Sequence, residues 1–199
     1  MNSVSDRAAL RILRLDHTRL AAITGAMLEL VRAFCDGASP PDPIVLRAML
    51  YYIREYPEQI HHPLEDRYLF AALRKRTDDL DDVLDELECE HMEGAVRLRN
   101  LEHALTRYEL KGDAVRLNLQ TLMEEYVAFA SNHRRVEESL IVPAAERLLT
   151  ESDWARIDAA LEERFDPFGD ATFEGETLDS LYRLIANAVP AVGDTRQDG

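Results

Sequence analysis

Leu10, Leu13, Leu20, Ile23, Met27, Leu30, Val31 and Phe34 recur at steps of three and four residues. That is the repeat of a helix that buries one face, and it predicts an amphipathic helix of about seven turns. "DGASPPDP", Asp36 to Pro43, interrupts the pattern with residues that cannot continue a helix and reads as a loop. Helical spacing returns from Ile44 to Tyr56, with Pro43 well placed in the first turn. Pro57 and Pro63 then disturb it, because each lacks an N–H and crowds the carbonyl four residues back. A kink or short break is expected near Pro57, with helix resuming by Ile60 and running to about Arg76. A third helix is predicted from Asp78 to Leu110, with the acids of "TDDLDD" at its positive end and Gly112 as its stop. A fourth runs from Asp113 to about Leu149.

Four long helices of similar length joined by short loops predict an all-α fold, an up-down-up-down four-helix bundle over residues 1–149. Residues 150–199 form a short helical C-terminal extension. "TESDW" is a helix start with Thr150 or Ser152 as cap, "DPFG" is a turn, Leu178 to Val189 is a last short helix, and "GDTRQDG" is a frayed tail. Trp154 and Phe165 carry enough apolar area for the extension either to close one end of the bundle or to make a homodimer contact.

The 199 residues are 46% hydrophobic and 31% charged, which a chain of this length can fold around a core without disulfide staples. Cys35 and Cys89 stand far apart, in no Cys-x-x-Cys pattern, as reduced thiols of a cytoplasmic protein would. The formal net charge of −15 offers no basic face for nucleic acid and none for an anionic membrane surface. No stretch reaches the roughly 20 apolar residues of a membrane span, and "MNSVSDRAALRILRLDH" lacks the apolar run of a signal peptide.

The six histidines change the picture. On a helix each residue advances about 100°. Glu65 therefore projects between His61 and His62, where a carboxylate can bridge two metals while each imidazole serves a different one. "HRRVEES" repeats the device: His133 and Glu137 share a face one turn apart, with Glu138 as the alternative. The first helix adds His17 and the third adds His91, both near mid-helix. His103 lies twelve residues beyond His91, about 18 Å along the axis at ~1.5 Å per residue, and is expected on the surface. A lone histidine on such a face is ordinarily a core or surface residue. Here every long helix donates one, and burying several imidazoles and carboxylates together is costly unless something satisfies them. A metal pair does so. Imidazole and carboxylate without thiolate suit iron, with manganese or zinc possible. A ferritin-like pattern, through "EQIH" and "ECEH", would leave His17, His62 and His133 without a role.

The segments "DHTRL", "YPEQIHHPLEDRYLF", "LECEHMEG" and "HRRVEESLIVPAAERLL" closely resemble the hemerythrin-like (HHE cation-binding) family over about Ala8 to Leu149. The tail "LTESDWARIDAALEERFDPFGD" is similar to that of bacterial single-domain members. The resemblance implies a bundle around a carboxylate-bridged di-iron centre. His17 and His61 would hold one iron, His91 and His133 the other, and Glu65 and Glu137 would bridge them. Oxygen-carrying relatives have a second histidine one turn after the first on the third helix, where this chain has Ala95. Iron-sensing members place a ligand directly after the equivalent of His61, which implies that His62 takes that role. The expected function is binding or sensing of a small diatomic or peroxide ligand at the metal pair. The alternatives are a di-iron enzyme, breaking down peroxide or delivering iron for iron–sulfur cluster repair, and a metal-free helical interaction module. Asp16, Asp66 and Tyr126 are candidates to tune the metal from outside its ligand sphere.

Overall fold

The computed structural model of the chain describes residues 7–37, 41–162 and 178–189. Helix α1 is Ala8–Cys35. Helix α2 starts as Pro43–Glu55 and continues through Pro57–His61, His62–Leu64, Glu65–Phe70 and Ala71–Leu73. Helix α3 is Asp81–Lys111. Helix α4 is Arg116–Val136, extended by Glu137–Ile141 and Val142–Leu148. Two shorter helices follow, α5 at Glu151–Glu162 and α6 at Leu178–Ala188. Among the described residues there is no strand, and no helix is long and apolar enough to cross a membrane. The fold is the all-α bundle that the periodicity predicts.

The kink or short break expected near Pro57 takes the form of a turn at Tyr56 followed by a widening. Pro57 has no N–H to offer, and the helix slips to longer-range bonds: the His61 N–H reaches the Tyr56 carbonyl at 3.1 Å, and the His62 N–H reaches that of Pro57. The same wide, π-type turn recurs at Glu65–Phe70, just after Pro63, and at Glu137–Ile141, just before Pro143. Such turns re-aim side chains and are frequent at functional sites. Here the three wide segments carry His61, Glu65 and Glu137.

The other boundaries shift by short distances for local reasons. Helix α2 tightens after Leu73 into bonds three residues long, Lys75 N–H to Ala72 and Arg76 N–H to Leu73. Thr77 then accepts the Asp79 N–H in a turn, so α3 begins at Asp81 rather than Asp78. Gly112 ends α3 with φ of +62°, a conformation open to glycine at little cost. Asp42 caps α2 by accepting the Ile44 N–H at 2.8 Å. Thr150 caps α5, and Asp153 returns a bond to the Thr150 N–H at 3.0 Å, a capping box.

Two apolar clusters build the core. One joins Ile23, Met27 and Phe34 of α1 to the first part of α2, the last part of α3 and the first part of α4. The other joins Ala9 and Leu10 to Leu69–Leu73, the start of α3 and the end of α4. Sequence neighbours therefore run antiparallel. The extension adds to both clusters, Trp154 and Ile157 of α5 to the second and Tyr182 and Ile185 of α6 to the first. Phe165, the "DPFG" turn and the C-terminal tail lie outside the described residues. Between the two clusters sits a polar layer of buried histidines and carboxylates.

Candidate metal centre

His17 from α1, His61 and Glu65 from α2, His91 from α3, and His133 and Glu137 from α4 are all buried, and they converge. Glu65 turns one oxygen to His61 and His17, at 3.3 and 3.9 Å, and the other to His91 at 3.6 Å. Glu137 mirrors it. One oxygen lies 3.2 Å from His17, and the other lies 3.1 Å from His133 and 3.8 Å from His91. Each carboxylate thus faces three histidines, its two oxygens turned to opposite sides of the centre. Glu137 rather than Glu138 faces the centre: the Glu138 side chain is 47% exposed, against 2% for Glu137.

His62, the fifth histidine, stacks flat on His91 with ring centroids 4.1 Å apart. It shares with His91 and His133 one of three overlapping groups close enough to hold a metal ion; the other two are His17, His61 and Glu65, and Glu65, His91 and Glu137. The seven predicted residues are therefore brought together. His103 is exposed and lies apart, as expected.

Four of the five histidines are each steadied from outside by an acid of another helix. His61 donates its Nδ1–H to Asp16 at 3.3 Å, His91 to Asp66 at 2.8 Å, His133 to Glu90 at 2.7 Å and His17 to Glu138 at 3.2 Å. The pattern closes on itself. An acid of α1 supports α2, one of α2 supports α3, one of α3 supports α4 and one of α4 supports α1. These bonds occupy Nδ1 on the four rings and turn each Nε2 inward, where it offers a lone pair once its proton is lost. Glu90 is the member that sequence reasoning missed, and Glu138 enters as a support rather than a bridge. The available signal was adjacency: each supporting acid is the chain neighbour of an inward-facing residue, in Asp16–His17, Glu65–Asp66, Glu90–His91 and Glu137–Glu138.

The electrostatics are those of a site built around positive charge. Burial disfavours a charged His61, but Glu65 and Asp16 outweigh it and hold its pKa well above the ordinary value. Burial also opposes charge on His91, yet Asp66, Glu137 and Glu65 lift it to about 10. His133 is raised against its burial, chiefly by Glu137. Burial would raise the Glu137 carboxyl, but the close imidazoles of His133, His17 and His91 draw it well below the carboxylate range. His62 goes the other way. Burial, then the neighbouring His91 and His61, push it well below the ordinary value, so it is neutral. Glu58, beside His62 at 3.7 Å, is pushed up to about 7 by burial, against the pull of His91, His133 and His61. Burial and Glu58 together raise the Tyr126 hydroxyl. Tyr126 and Glu58 line a cavity together with all five histidines of the centre.

The residues fit a bound metal cation. His17 Nε2, both oxygens of Glu65, Glu137 Oε1 and His62 Nδ1 are buried and lack an aligned hydrogen bond, a costly state for polar atoms with no other partner. His91 Nε2 and His133 Nε2 lie 3.0 Å apart, and two lone pairs at that distance repel unless a proton or a metal ion intervenes. A family model for the hemerythrin HHE cation-binding domain matches residues 8–145. The chain belongs to that family. The matched span carries all four long helices nearly to the end of α4, and with them the seven residues of this HHE centre and its four supporting acids. A comparison with curated proteins returned no significant match.

Proposed function

We propose that this HHE domain holds two iron ions and uses them to bind or sense a small oxidant such as dioxygen, peroxide or nitric oxide. His17 and His61 would serve one ion, and His91, His133 and His62 the other, with Glu65 and Glu137 shared. The observation that carries the reading is the division of the two carboxylates, each with one oxygen toward either group of histidines. An imidazole and carboxylate set without thiolate favours iron over softer metals, with manganese or zinc as alternatives. An iron pair supplies redox chemistry and a coordination position that a small oxidant can take.

The chain's own residues account for the rest. The four outer acids fix the tautomer and direction of the histidines. The two apolar clusters flank the polar layer on either side. Cys35 and Cys89 are unpaired, in keeping with a reducing, cytoplasmic setting. A second reading, a di-iron enzyme acting on peroxide, is favoured by Glu58 and Tyr126, two proton-bearing groups that line the cavity at the centre. The metal-free module is disfavoured by the orphaned atoms at the centre.

Anaerobic reconstitution with ferrous iron followed by oxidation separates these readings. A bridged ferric pair gives strong near-ultraviolet absorption and a bare bundle gives none. Oxygen, nitric oxide or peroxide added to the reduced protein then yields a stable adduct if the function is binding, and turnover if it is catalysis.

A further inference from the structure

A cavity of about 40 Å³ borders the His61 side of the centre. Leu10, Leu13, Leu69, Trp154 and Ile157 make most of its wall, and Asp16, His61 and Glu65 form its polar end. Tyr68, 40% exposed, also lines it, so the wall of the cavity reaches the protein surface. One water needs at least about 10–15 Å³ of such space. The cavity therefore suits a molecule of two or three atoms and is too small for an organic substrate.

Two features single it out. Trp154 is 1% exposed, yet its indole N–H has no hydrogen-bond partner, whereas a buried tryptophan usually finds one. Trp154, Ile157 and Leu161 also belong to α5, beyond the family match that ends at residue 145. This wall is the extension's own contribution to the centre.

We infer that the cavity is the vestibule by which a small uncharged molecule, dioxygen or nitric oxide, reaches the His17–His61 half of the centre, with α5 as its selecting wall. The inference rests on the di-iron reading and narrows it. A hydrated, strongly hydrogen-bonding molecule such as peroxide loses its water partners along an apolar wall, while a diatomic gas loses almost nothing.

Xenon tests the vestibule without relying on iron, since dry apolar cavities accept it. In crystals of the full chain under xenon pressure, an atom should occupy the space beside Trp154 and Ile157. Ile157→Trp should displace it. The same variant, loaded with iron to the wild-type level and reduced, should bind nitric oxide at least about tenfold more slowly, a barrier increase of ~1.4 kcal/mol. Leu161→Trp, at a half-buried position, carries the same expectation should Ile157→Trp fail to fold. A wild-type cavity empty of xenon, or a folded tryptophan variant that binds nitric oxide at the wild-type rate, would overturn the inference. Failure to take up iron would fell the di-iron reading and the vestibule with it. Iron uptake without a xenon site would fell the vestibule alone.

Discussion

Glu90 of α3 accepts the Nδ1–H of His133 of α4 at 2.7 Å, the shortest of the four acid–histidine bonds that encircle the centre. The acid and the histidine are 43 residues apart, while Glu90's own neighbour His91 leans on Asp66 of α2. Each helix thus orients a histidine on the next one, and the ring ties the four rods together at the level of the candidate metal centre.

Removing one member of the ring should loosen its histidine without unfolding the bundle. Glu90→Ala is expected to weaken iron binding by about 10–100-fold, the usual effect of losing such a support. Glu90→Gln keeps an acceptor and should recover part of the loss. Competition with a chelator measures the affinity, and circular dichroism checks that the helices persist.

The inward-facing residues should behave differently from a histidine elsewhere on the same helices. His61→Ala should strip much of the bound metal, and exposed His103→Ala should leave it intact. Elemental analysis of the two purified variants decides this, and equal metal content in both would contradict the assignment.

How much of this was legible in the sequence differs by level. Helix existence came from three- and four-residue repeats, as at Ile23, Met27 and Phe34, because burial of one face imprints that period. His61 with Glu65 and His133 with Glu137 were legible because residues one turn apart share a face whatever surrounds them. The bond from Glu90 to His133 was not, since it depends on how far α3 is rotated against α4, which no single-helix pattern records. Pro57 signalled a disturbance but not its form. A missing N–H can break a helix or widen it, and packing on both sides of His61 keeps this one whole. That α5 would line a cavity beside the centre was hidden as well, because Trp154 advertises apolar area without saying where it will be buried.

Stability of the metal-free protein should fall as pH rises through the neutral range. His91 is raised from 6.5 to about 10. Its contribution is fully present below about 6.5 and is lost as pH climbs toward 10. Glu58, raised from 4.5 to about 7, acts with the same sign: its protonated form favours the fold, and the benefit fades between those values. Thermal melting of the apo protein should therefore give a lower Tm at about pH 9 than at about pH 6. Iron must displace protons from these histidines, so loading should release protons and weaken as pH falls. Potentiometry during titration reads the first effect and chelator competition across pH reads the second.

The start of α5 rests on a buried carboxylate. Asp153 has a fully buried side chain and accepts bonds from Arg76, Arg156 and Thr150, and these hold its carboxyl well below the ordinary range despite the opposing effect of burial. Asp153→Ala strips partners from a buried network and should destabilise the fold by about 3 kcal/mol. Chemical denaturation measures the loss.

The most direct test of the central claim is the iron content and Mössbauer spectrum of the full chain after anaerobic reconstitution, oxidation and removal of free metal. A carboxylate-bridged centre predicts about two irons per chain, magnetically coupled as one pair. A single isolated iron, or none, would contradict it.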